Sequence, residues 1–314
     1  MKTEKESSTV KMENKILNNQ PCGLLNDGKT LKLLAITSSF GLNTTEYLYD
    51  IAVSEGYTDV VVARLYTSGC TLKKHMDFAA NHTAGYEYTK KSGTEWTAAK
   101  GVAMDYGISD EDWDVIFLQQ SAEQSPVESS YADYVPQLMD YVRQRKPDAK
   151  FVWNMTWAFD KGCSRAVFDE TFAGNQRAMY EAIVHTLHEK ILKPKLNFAR
   201  IIPTGTAIQN ARLAGSPKLT RDTFGGGTVD HIHLNAYGRL IAGYTLFAML
   251  TDQKELAAVN VGDIPPAYHY PDDPPCILTA EDKRLIIEAV NNAIKNPWTV
   301  TDSVRRDKSP VLGE

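Results

Sequence analysis

The chain has 314 residues, 43% hydrophobic and 23% charged, a balance that excludes a disordered or fibrous protein. Its formal net charge of −5 is spread without a basic stripe, which argues against a nucleic-acid partner. The longest apolar runs, such as 33–36 and 60–63, are strand-sized and fall far short of the roughly 20 residues of a spanning helix, so no membrane partner is expected.

Residues 1–29 are polar and irregular and read as a loosely docked lead-in. They lack the apolar core of a signal peptide, so the chain as read is cytoplasmic, or periplasmic or secreted if a leader was removed. A single domain is expected over 30–314. Residues 32–37 predict a buried strand and 44–56 a helix, with Asn43 as N-cap and Gly56 as C-cap. Residues 59–65 predict a second, Val-rich strand. An insert at 73–100 carries Tyr86, Tyr88 and Trp96 around a Lys-Lys-Ser-Gly turn, which suggests a hairpin over the sheet.

Residues 114–119 predict a third strand, 129–145 a helix, 150–155 a fourth strand, 166–192 a long helix and 199–202 a fifth strand. A late helix follows over 235–251. The C-terminal extension, 253–314, holds a Pro-rich stretch at 264–275 that should cross the surface. It then holds a helix over 279–295, opened by a capping box of Thr279 and Asp282. Strands alternating with helices argue for a parallel α/β sheet with right-handed crossovers.

Four cysteines, Cys22, Cys70, Cys163 and Cys276, form no CxxC pair and fit no zinc spacing, so buried or free thiols are expected and no metal site. The glycine run 225–227 has no Lys-Ser/Thr after it, so it is no phosphate loop and implies no nucleotide cofactor. Asn43, Asn81 and Asn154 open N-x-T sequons that read as chance.

Sites in open parallel sheets form outside the carboxyl ends of the strands. After the first strand come Ser38 and Ser39, after the second Gly69, after the third Gln119 and Gln120, and after the fourth Trp157. The late helix is preceded by Asp230, His231 and His233. A serine hydroxyl needs a base within reach, and histidine titrates near operating pH. Asp230, three residues before His233, can turn back to fix the imidazole tautomer. The N–H groups of Ser39 and Gly69, with a glutamine amide, can meet an oxyanion. His231 is structural, substrate-facing or an alternative base. His75, Asn81 and Tyr86 belong either to a solvated hairpin or to the wall of an acyl or sugar pocket. Trp157 is either core or a stacking surface for a sugar ring.

The segments AITSSFG, LYTSGCT, FLQQSAEQS and VDHIHLNAYG resemble, in that order, the motifs of the SGNH/GDSL hydrolase superfamily, over roughly residues 30–252. The closest likeness is to a bacterial branch with a G-N-S-F-like first motif, here TSSF. The resemblance implies a flavodoxin-like three-layer α/β/α sandwich with a central five-stranded parallel sheet. It implies Ser39 as nucleophile rather than Ser38, with Asp230 and His233 as its partners. It implies Gln119, or else Gln120, in place of the usual oxyanion asparagine, and Thr37 stands where glycine is usual. The activity implied is hydrolysis of a small acyl ester, with an acetyl group on a carbohydrate as the preferred case, without a cofactor. An acyltransferase with the same triad, or a glycan-binding module on the same fold, are the alternatives. The sequence leaves the oligomeric state open.

Overall fold

The computed structural model describes residues 24–25, 27–214, 230–274 and 276–301. The 225–227 glycine run, Cys22 and most of the lead-in lie outside them. Strand β1 (Thr30–Thr37) is buried on both faces, as a continuous apolar run in a parallel sheet should be. Beside it lie β2 (Asp59–Tyr66) and β5 (Val115–Leu118), followed by β6 (Lys150–Asn154) and β7 (Arg200–Ile202), all parallel. Taken in chain order, these five strands run 2-1-3-4-5 across the sheet, the flavodoxin-like doubly wound order.

The expected five-stranded sheet has seven strands. The insert forms a hairpin of β3 (Tyr86–Lys91) and β4 (Trp96–Val102), but the hairpin does not lie over the sheet. It continues it, with β3 antiparallel to β2. This covers the row of backbone donors and acceptors that β2 would otherwise expose.

Several helices depart from their expected bounds. The segment expected as one helix over 44–56 is two: α1 (Ser39–Thr45), opening on the serine, and α2 (Leu48–Ser54). Thr44 and Thr45 donate their hydroxyls to the carbonyls of Phe40 and Gly41, at 3.0 and 2.7 Å, a local competition that favours a break here. Two helices not expected from sequence follow β2, α3 (Leu72–Ala80) and α4 (Met104–Ser109). The expected 129–145 helix is α5 (Tyr134–Arg143). The long helix over 166–192 is broken. Ala173, left-handed at φ 50°, ends α6 (Ala166–Phe172), and Asn175 caps α7 (Gln176–Leu187), accepting from Ala178 N–H at 3.1 Å.

After β7 come α8 (Thr204–Leu213), also unexpected, then α9 (Ala236–Leu250) and α10 (Ala280–Lys295). Helix α9 is buried at nearly every position because it packs on α1, α2 and α8 while α10 covers it from outside. Helices α3, α4 and α5 pack together on the other face. The Thr279–Asp282 capping box is present in both directions. The Pro-rich stretch does not simply cross the surface: Ala267, Tyr270 and Asp273 are buried, and Asp273 pairs with the buried Arg239 of α9. Among the described residues no helix is long and apolar enough to cross a membrane.

Candidate active site

The order of strands reverses between β1 and β5, so a crevice opens outside their carboxyl ends. The chain leaves β1 through Ser38 and enters α1 at Ser39. Ser38 is nearly inaccessible, and its Oγ accepts from Gln119 Nε2 at 3.3 Å. Ser39 is half-buried and lines the crevice. Thr37 folds its side chain back over the turn and donates to Ser38 O at 3.1 Å. A Cβ at residue 41 would stand 1.9 Å from Thr37 Oγ1, so Gly41 is what admits a threonine here. Phe40 turns inward and stacks on Trp157, rings 3.8 Å apart, with its edge toward His233.

Across the crevice, His233 Nδ1 and Asp230 Oδ2 are 2.6 Å apart. The other carboxylate oxygen accepts from Ile232 N–H at 2.9 Å and His233 N–H at 3.0 Å. Burial by itself raises the Asp230 carboxyl, but the hydrogen bond and charge of His233, with those two N–H groups, outweigh it and hold the pKa below the usual carboxylate value. The loop is tied down elsewhere too. Trp157 Nε1 donates to Ile232 O at 2.9 Å, Asp160 N–H to His231 O at 2.8 Å, and Leu234 N–H to Asn43 Oδ1 at 2.7 Å. His231 is left-handed at φ 60° and points to Asp160, 3.7 Å away, outside the residues that line the crevice.

Ser39, Gly69 and His233 share one cavity of about 290 Å³. Gly69 has φ 57° and open space where a Cβ would sit, so its glycine is required by conformation and not by crowding. The two glutamines behave differently. Gln119 lies behind Ser38, its Oε1 accepting from Asn154 Nδ2 at 3.0 Å, and Asn154 in turn accepts from Thr204 at 2.6 Å. Gln120 is committed elsewhere, accepting from Leu72 N–H and Ser121 N–H while donating to Ser130. Neither glutamine lines the cavity.

The four residues expected to bind substrate are not brought into this cavity. Trp157 is fully buried core. His75 and Tyr86 are buried against one another, 2.8 Å apart, and Asn81 is an exposed helix end bonded to Asp77 O. Burial, with the charge of Lys74, pushes His75 down to about 3, so it stays neutral. Burial also pushes the Cys70 thiol up to about 12, opposed by Lys74, which makes it a poor nucleophile at neutral pH. Cys163 and Cys276 are likewise buried thiols. The sequons at Asn43 and Asn154 are buried.

The rim instead carries Glu123 and Arg165, an exposed ion pair at 3.3 Å, with Gln124 beside them and Phe159 beneath. Sequence reading passed over these residues. Their signal was positional: Glu123 lies in the segment after β5 and Arg165 in the long loop after β6, both at strand carboxyl ends. Among the described residues, no group of three or more His, Cys, Asp or Glu side chains is placed to hold a metal ion.

The family model described as a domain of unknown function, DUF4886, matches residues 32–259. The crystal structure of a DUF4886 family protein from Bacteroides uniformis is similar over 88% of this chain and 98% of that one, at 28% identity and a TM-score of 0.73. More distant is a protein from Slackia heliotrinireducens provisionally assigned as an SGNH hydrolase, at 16% identity over 71% of this chain and 100% of that one, TM-score 0.44. A provisionally assigned GDSL-like lipase from Parabacteroides merdae shares 9% identity over 72% of this chain and 97% of that one, TM-score 0.40. No curated protein matches.

Proposed function

The chain belongs to the DUF4886 family, and we propose that it is a serine hydrolase that cleaves a small acyl ester. The observation that carries this reading is the Asp230–His233 pair, 2.6 Å apart, with His233 lining the same cavity as Ser39. Asp230 is held in its charged form, so His233 keeps its proton on Nδ1 and presents Nε2 as the base. Ser39 Oγ attacks the ester carbonyl as its proton passes to His233. The collapsing tetrahedral intermediate expels the alcohol, which takes that proton. Water, deprotonated by the same imidazole, then attacks the acyl-enzyme, and the imidazolium returns that proton to Ser39 Oγ as the acid leaves. The N–H groups of Ser39 and Gly69 meet the oxyanion in this reading. Gln119 acts from behind, holding Ser38 through its amide.

A cavity of about 290 Å³ accommodates a short acyl group such as acetyl. The charged rim suits a hydroxyl-rich leaving group such as a sugar, to which Glu123 can accept and Arg165 donate hydrogen bonds. This replaces Trp157, His75, Asn81 and Tyr86 as the substrate contacts. Thr37 does not argue for a non-catalytic module, since Gly41 absorbs its bulk.

p-Nitrophenyl acetate turnover tests the reading. Ser39→Ala and His233→Ala should each lose on the order of a million-fold in kcat, the scale for a triad nucleophile or base. Equal rates in both variants and the wild type would sink the mechanism. A fluorophosphonate should label Ser39; labelling of Ser38 would move the nucleophile by one residue.

A further inference from the structure

We infer that Asn43 is a positioning residue that sets the distance between nucleophile and base by gripping the backbone next to His233. The inference rests on the hydrolase reading above. Asn43 is wholly buried on α1. Its Oδ1 accepts from Leu234 N–H at 2.7 Å, across a sequence separation of 191 residues, and its Nδ2 donates to Tyr270 Oη at 3.4 Å, across 227. One amide therefore joins three segments that lie far apart in sequence.

Where Asn43 sits on α1 gives the contact its consequence. It follows Ser39 by four residues, and residues four apart lie on one helix face. The turn that presents the nucleophile thus also carries the group that holds the base loop. The serine–histidine separation is fixed through a single helical turn, one side chain and one backbone N–H. Of the other ties on the loop, from Trp157 and Asp160, the Trp157 tie meets the serine turn through the ring of Phe40 stacked on it, a packing contact and not a hydrogen bond.

Tyr270 closes the arrangement from behind. Its ring centroid is 6.2 Å from that of His233, and the buried Arg239 guanidinium lies over the Tyr270 ring, 4.1 Å from its centroid. Arg239 is paired in turn with Asp273. Tyr270 and Asp273 lie beyond residue 259, where the family match ends, so the C-terminal strap forms part of the setting of the base.

Asn43→Leu keeps the side-chain shape and removes both hydrogen bonds, whereas Asn43→Asp keeps an acceptor for Leu234 N–H. Two readouts are needed. In steady-state assays Asn43→Leu should lose about 10- to 100-fold in kcat, the scale of a small misplacement of reacting groups, with KM within about twofold. Asn43→Asp should recover most of that loss. The second readout is the downfield proton resonance of the His233–Asp230 hydrogen bond, assigned by its disappearance in His233→Ala. It should be sharp in the wild type and in Asn43→Asp, and broadened or shifted upfield in Asn43→Leu.

An unchanged resonance and an unchanged kcat in folded Asn43→Leu would overturn the inference, as would an Asn43→Asp variant no better than Asn43→Leu. If Asn43→Leu does not fold, Asn43→Ser replaces it, because its hydroxyl is too short to reach Leu234 and leaves room for water. Inactivity of the wild type on every ester would instead count against the hydrolase reading, and the resonance would still report on Asn43.

Discussion

The floor and the rim of the crevice are built in opposite ways. On the floor, the segments that carry Ser39 and His233 are largely buried and held by hydrogen bonds from distant parts of the chain. Ser38 is held by Gln119, Gln119 by Asn154, and the 231–234 backbone by Trp157, Asp160 and Asn43. At the rim, Glu123 and Arg165 are about half exposed and their side chains pair with each other. A pinned floor suits chemistry that needs fixed geometry, and a loose rim suits recognition that can be retuned. Changes on the floor should therefore cost kcat, and changes at the rim should cost KM.

The floor's largest expected effect after the nucleophile and base is at Asp230. Asp230→Asn keeps the shape of the side chain but offers an amide where Nδ1–H needs a carboxylate, so the imidazole adopts the wrong tautomer. A loss of about 10,000-fold in kcat is expected at neutral pH, with KM little changed. The same carboxyl gives a stability test. Its pKa is lower folded than unfolded, so the stability it contributes is complete above the unfolded value of about 3.9 and fades as pH falls through the folded value. Acid unfolding followed by circular dichroism should show a steeper loss below that pH for the wild type than for Asp230→Asn. Parallel curves would mean that the Asp230–His233 bond does not persist in solution.

The floor was also the part most legible in the sequence. Ser39, Gly69, Asp230 and His233 follow strands or precede a helix whose patterns are strong, so a common crevice is expected for them, while the choice of Ser39 over Ser38 rests on the motif resemblance. The sheet was legible for the same reason, since β1 and β2 are long apolar runs. What was hidden depended on long-range partners. Gln120 looks as available as Gln119 until Leu72, Ser121 and Ser130 are seen to use all of its amide. Trp157 looks like a sugar platform until Phe40 is found stacked on it. Asn43, a fair N-cap by local rules, is instead inside α1, because Leu234 supplies a partner that no local window contains. Helices such as α3, α4 and α8 are short or weakly patterned and owe their form to packing.

Gly69 lies between floor and rim, and its expected effect is intermediate. Gly69→Ala meets no atoms, but it puts a Cβ on a residue at φ 57°, at a cost of about 1–2 kcal/mol. Part of that strain will be relieved by turning the peptide, which reorients the N–H assigned to the oxyanion. A fall of about 10- to 100-fold in kcat is expected, within the range for loss of one oxyanion donor or somewhat below it. The melting temperature should fall by only a few degrees. If kcat is unchanged while the protein is destabilised, Gly69 is a turn residue and the oxyanion site needs another second donor.

The smallest effect is expected at the rim, and it decides whether rim and floor really differ in kind. An exposed ion pair contributes about 0–1 kcal/mol to stability, so Arg165→Ala and Glu123→Ala should both melt close to the wild type. On p-nitrophenyl acetate, whose leaving group has no hydroxyl for the rim to hold, both should also keep wild-type kinetics. On an acetylated sugar each should raise KM by about two- to tenfold and leave kcat alone, the pattern of contacts made equally in ground and transition states. Because the groups that face the substrate are exposed, raising the salt concentration should narrow the difference between Arg165→Ala and wild type for a charged sugar ester, and should not do so for a neutral one. A fall in kcat on both substrates would show that Arg165 reaches the reacting atoms, and would make the rim an extension of the floor.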